Sequence, residues 1–156
     1  MSETAEGMAF RRLSTRYFRA ALFYFVFGLS LGAGMMYFGN DNFQFLHSHM
    51  LLVGAGAFAA FGAGYAWIAS MAGEGPLQGV TPALAGLQFW TANAGLPGML
   101  LGSVLPVGLG LDRIGVLFGM VEAAAGALFA LLLSRALKAA AARRAGTPGN
   151  RTLHPR

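Results

Sequence analysis

Apolar residues run in four long blocks along the chain, at 18–38, 45–70, 84–105 and 114–133, and charge is confined to the ends and to the short breaks between the blocks. Each block has the roughly 20 residues that cross a ~30 Å hydrocarbon core as an α-helix. The pattern therefore predicts an all-α membrane protein, a four-transmembrane-helix bundle over 18–138. A basic N-terminal segment, 1–17, precedes the bundle and a basic, disordered tail, 139–156, follows it. The first block is too long and begins too late for a cleaved signal peptide, so it is expected to be retained.

Composition fixes the solvent. The chain has 156 residues, 56% of them hydrophobic and 11% charged, with 23 glycines, and its mean hydropathy of +0.57 is far above that of a soluble domain. The absence of cysteine excludes disulfides, zinc-thiolate sites, thiol nucleophiles and thiolate-held haem or iron-sulfur clusters. Any metal has to be held by His, Met, carboxylate or backbone.

Charge placement sets the expected topology. Arg11, Arg12, Arg16 and Arg19 precede the first block, and Arg135, Lys138, Arg143 and Arg144 follow the fourth, whereas the first link carries only Asp41 and the third carries Asp112 beside Arg113. The positive-inside rule then predicts both termini cytoplasmic, in a multi-pass protein of a bacterial-type inner membrane. The net charge of +5 is accounted for by arginines that flank spans and meet anionic lipid, so no nucleic acid is expected as a partner. The second link, 71–83, with Gly73, Gly75, Pro76, Gly79 and Pro82, reads as a turn-rich cytoplasmic loop. His154, in the terminal segment, reads as incidental.

Small residues recur every four positions as Gly28 and Gly32, as Gly56, Ala60 and Gly64, and as Gly115, Gly119 and Ala123. Such spacing lets helix backbones approach closely, and it would also clear room for a flat macrocycle.

The chemistry concentrates in Phe45-Leu46-His47-Ser48-His49-Met50, which holds two of only three histidines in the chain. Ionisable side chains inside a membrane mark function by default. On a regular helix, positions two apart diverge by about 200°, so His47 and His49 are expected to face opposite sides unless the backbone bends near Met50. Met35 and Met36 end the first block and should lie at the same depth. Imidazole with thioether suits a haem iron or Cu(I), while core filling is the plain role of each methionine. Glu122 lies about 13 Å into the fourth helix at ~1.5 Å per residue. With Gln88, Thr91 and Asn93 it offers interhelical hydrogen bonds, a proton path, or a hydrogen bond that orients a ligand histidine from behind. Pro97, between Gly95 and Gly98, should distort the third helix.

The stretch His47-Ser48-His49-Met50-Leu51-Leu52-Val53, followed by residues 58–65 and Trp67, resembles the second transmembrane helix of the catalytic subunit of haem-copper oxidases, especially nitric oxide reductases. Residues 88–98, Gln88-Phe89-Trp90-Thr91-Ala92-Asn93-Ala94-Gly95-Leu96-Pro97-Gly98, are similar to that family's third helix. The resemblance implies that His47 ligates a low-spin haem b and that His49 replaces a small polar residue. It covers roughly 45–101 and suggests a small four-helix relative of the subunit I-like kind. The family's remaining haem ligands and its three copper-binding histidines come from later helices that have no counterpart here. A complete haem-copper catalytic centre is therefore not expected, and enzymatic activity is left open.

Three classes follow. The first is a b-type cytochrome for electron transfer or gas sensing, its second axial ligand coming from Met35, Met36 or the histidine of a homodimer mate, or left open. The second is a copper-handling protein using His47, His49 and the nearby methionines. The third is a cofactor-free accessory subunit of a larger respiratory complex.

Overall fold

The computed structural model describes residues 4–75, 77–104 and 112–146. Within them the chain is helical and has no strand. The elements are α1 (Ala5–Phe38), α2 (Gln44–His49), a π-helical segment (Met50–Ala57), α3 (Phe58–Gly73), α4 (Pro82–Val104) and α5 (Asp112–Gly146). Because α2, the π segment and α3 run on without a break, the described residues form four rods. Three of these, α1, the α2–π–α3 rod and α5, are long and apolar enough to cross a membrane. The fourth, α4, has 23 residues and is diluted by Gln88, Thr91 and Asn93. The link 105–111 and the terminal residues from 147, His154 among them, lie outside the described residues.

Helix α1 begins well before the apolar block because its first turns are amphipathic. Phe10, Leu13 and Tyr17 recur at helical spacing and are buried, while Arg11, Arg12 and Arg16 stay exposed. Thr4 caps this helix: its hydroxyl accepts from the Gly7 N–H at 3.1 Å and donates to the Ala72 carbonyl at 3.1 Å, tying the start of α1 to the end of α3. At the far end Gly39 adopts the left-handed conformation, φ 60°, and its N–H returns to the Met35 carbonyl. Helix α5 likewise outlasts its apolar block, burying Ala136 and Ala140 beyond residue 133.

The rods pack as two antiparallel pairs. In the first, α1 meets the α2–π–α3 rod: the Ser14 hydroxyl donates to the Gly62 carbonyl at 2.7 Å, the Tyr24 ring covers Gly54, and Leu51 covers Gly28. In the second, α4 meets α5 with Gly102 set directly on the Gly115 backbone and Phe118 laid over Gly98. A side chain at Gly102 would collide with that backbone, so glycine is what permits the approach. The pairs meet through α1 with α4 and through α3 with α5, where Phe129 lies on Gly64.

The expected small-residue stripe holds at Gly28, Gly32, Gly64, Gly115 and Gly119, fails at Ala123, which is exposed, and shifts along the α2–π–α3 rod, where Gly54 and Gly62 are buried and Gly56 and Ala60 are not. The π segment explains the shift. Bonding i→i+5 takes up an extra residue in the turn, so the contact face changes phase relative to a regular α-helix.

One polar cluster joins all four rods. Tyr17 of α1 and Tyr65 of α3 both donate to Gln88 Oε1 of α4, the latter at 3.1 Å, and Gln88 Nε2 donates to the Ala125 carbonyl of α5 at 3.2 Å. All three side chains are fully buried. Phe58, Phe61 and Phe89 pack edge-on against the Tyr17 ring.

Two stability effects follow. Gly102→Val should lower unfolding free energy in detergent by about 1–3 kcal/mol through overpacking, while Gly126→Val, at a position with open space around it, should cost little. Gln88→Leu takes the acceptor away from two buried tyrosine hydroxyls and should cost about 1–3 kcal/mol, seen as a lower midpoint of chemical unfolding.

Candidate functional site

The histidine pair stands on α2, a short helix that starts after the turn following Gly39. The Gln44 N–H donates to the Asp41 carbonyl at 3.0 Å and the His47 N–H to the Phe43 carbonyl at 2.9 Å, which opens the helix and fixes the rise of both imidazoles. His47 turns toward α1 and His49 does not. The His47 ring lies over Gly32, where an added β-carbon would come within 2.5 Å of Cε1. Its Nδ1 lies 2.9 Å from the Gly28 carbonyl. The His49 ring instead stacks on Phe45, with centroids 3.9 Å apart, and its Nδ1 lies 3.0 Å from the Phe45 carbonyl one turn back. The two rings thus have separate surroundings, as their spacing on a helix requires.

Both contacts have the same chemical result. A carbonyl oxygen only accepts, so in each contact the Nδ1–H is the donor. A backbone carbonyl holding one imidazole nitrogen is the usual way a ligand histidine is oriented.

The room beside Gly28 and Gly32 is filled by the chain's own Leu51 and His47, so these glycines admit an imidazole at this level. Next to them a cleft of about 400 Å³ opens between α1 and α2, lined by Gly32, Met35, Met36, Asp41, Gln44 and His47. Met35 is 8% exposed and belongs to the wall, whereas Met36 is 87% exposed and reaches outward. His47 and Met35 therefore face one cleft, and His49 lies apart from it. Asp41 and Gln44 complete the polar lining, although neither belongs to a recognisable ligand motif. The signal for Gln44 is its position at i−3 from His47, one helical turn away.

The π segment begins immediately after His49, at Met50. Such segments are frequent at functional sites because they re-aim neighbouring side chains. Here it lets α2 set the imidazoles while α3 keeps its own face on the core.

The other polar candidates lie elsewhere. Gln88 is committed to Tyr17, Tyr65 and the Ala125 carbonyl. Tyr17 and Tyr65 stand in no motif, and their only sequence signal is that a tyrosine in an apolar helix needs a partner for its hydroxyl. Asn93 Nδ2 donates to the Phe89 carbonyl of its own helix at 2.8 Å, and the Thr91 hydroxyl to the Leu87 carbonyl at 2.8 Å. Glu122 rests against the Gly95 position of α4, close to the proline-containing turn. Thr91 and Asn93 thus bond within α4 and Glu122 lies at the α4–α5 contact, whereas Gln88 joins all four helices.

Among the described residues, no three His, Cys, Asp or Glu side chains gather where a bare metal ion could be held. No family model, no curated protein and no solved structure matches this chain.

The Gly32 contact is testable. Gly32→Val should push the His47 ring off the Gly28 carbonyl and shift its imidazole nitrogen resonances in solid-state NMR. Gly34→Val, at a position with nothing packed around it, should leave those resonances in place.

Proposed function

We propose that the chain is a four-span membrane protein, both termini on the cytoplasmic side of a bacterial-type inner membrane, that binds a b-type haem through His47 for electron transfer or for binding a diatomic gas. The observation that carries this reading is the His47 imidazole, 2.9 Å from the Gly28 carbonyl at Nδ1 and on the wall of a cleft that it shares with Met35. A haem iron asks few donors of the protein. A porphyrin brings four equatorial nitrogens, so its iron asks the protein for one or two axial donors. One imidazole with a thioether on the same cleft, and no three-residue cluster among the described residues, fits that demand.

Haem when bound would supply a one-electron couple or an open coordination position for a gas. The chain's own residues do the rest. The Gly28 carbonyl would hold the His47 ring at Nδ1, and Met35, on the wall of the same cleft, would offer a thioether. His49 has different surroundings and is suited to a second site or to a homodimer contact in which each protomer completes the other.

The four-span arrangement is supported by the 23-residue length of α4, about 35 Å at 1.5 Å per residue, against a ~30 Å core. The sidedness is supported by bonds that draw the basic ends together, Thr4 to the Ala72 carbonyl and Arg143 Nη2 to the Met71 carbonyl at 3.0 Å.

A second reading is Cu(I) held by His47 and Met35, favoured by their shared cleft. A cofactor-free accessory role in a respiratory complex is the third. Oxidised and reduced absorption spectra of the detergent-purified protein, with haem and copper assayed on the same sample, distinguish them. A b-type spectrum is expected, abolished in His47→Ala and retained in Gly34→Val. A colourless protein that cannot be reconstituted with haem would overturn the haem reading, leaving copper if the metal assay is positive and the accessory role if it is not.

A further inference from the structure

Helices α1 and α4 run parallel, and two separate clefts lie along this side of the bundle. At one end a cleft of about 220 Å³ is lined by Arg12 and Arg16 of α1 and by Pro82 and Gly86 of α4. Farther along, an apolar cleft of about 330 Å³ is lined by Phe23 and Phe27 of α1 and by Pro97 and Leu101 of α4, with Leu46 of α2 and Met50 of the π segment beside them. At 100° per residue, Arg12, Arg16, Phe23 and Phe27 fall within about 60° of one another, so they form one face of α1. That face is basic from Arg12 to Arg19 and aromatic beyond it.

Depth gives the two clefts their meaning. Counting ~1.5 Å per residue from Phe38, Arg16 lies about 33 Å and Arg12 about 39 Å along α1, at and just past the far boundary of a ~30 Å core. From Arg16 to Phe27 is about 17 Å of helix, close to the ~15 Å of one hydrocarbon leaflet.

We propose that the two clefts together take one anionic phospholipid, its phosphate on Arg12 and Arg16 and an acyl chain laid over Phe23 and Phe27 against Pro97 and Leu101. Charge complementarity selects the headgroup, and the length of the apolar stretch selects a lipid over a soluble anion. Gly86, which has nothing packed on it, leaves the headgroup end open. This site is independent of the haem reading, since none of its residues lines the His47 cleft.

The test is native mass spectrometry of the full chain from mixed micelles doped with phosphatidylglycerol or phosphatidylcholine. The protein should retain phosphatidylglycerol preferentially. Arg12→Gln with Arg16→Gln should reduce retention by about fivefold per arginine. Gly86→Leu, which fills the cleft without changing charge, should also reduce it, and the charge-matched pair Lys138→Gln with Arg144→Gln should not. Equal retention of both lipids, an equal loss in the Lys138/Arg144 pair, no effect of Gly86→Leu, or displacement of the lipid by millimolar inorganic phosphate would each overturn the proposal.

Discussion

A fully buried carboxamide has no water to fall back on, so every partner of Gln88 has to come from the protein. That requirement organises the bundle. The two tyrosine donors and the Ala125 carbonyl belong to three different helices, so the four rods can satisfy Gln88 only in one relative arrangement. Apolar packing in a membrane discriminates weakly between arrangements because lipid tails are as apolar as leucine. A directional cluster at the centre supplies the specificity that packing lacks.

Around that centre the two antiparallel pairs use different means of approach. The α4–α5 pair brings backbones together through Gly102 and Gly115. The α1–α3 pair instead fits rings and a hydroxyl into glycine positions, Tyr24 over Gly54 and Ser14 to the Gly62 carbonyl. His47 over Gly32 is the last member of this second series. The imidazole is therefore oriented by the same contacts that hold the pair together.

The helical class, the three strongly apolar spans and the divergence of His47 from His49 were legible from period and composition, because they depend on local sequence alone. The start of α1 at Ala5 was masked by its arginines, although Phe10, Leu13 and Tyr17 carried the helical spacing. The partners of Gln88 were not legible, since they depend on which helices adjoin. Nor was the π segment, whose residues Met50–Ala57 are as apolar as any α-helical stretch and give no local signal of a wider turn. Its consequence, the exchange of Gly56 and Ala60 for Gly54 and Gly62 on the buried face, could not be read from a constant 100° step.

The wide turn between Met50 and Ala57 also separates two tasks within one rod. In a uniform helix the bearing of His47 and the bearing of Tyr65 would be locked by a fixed angle, so any change that improved the core would rotate the imidazole. A segment with its own pitch works as a phase adjuster: the turn before it keeps its aim at α1 while the turns after it keep theirs at the tyrosine cluster.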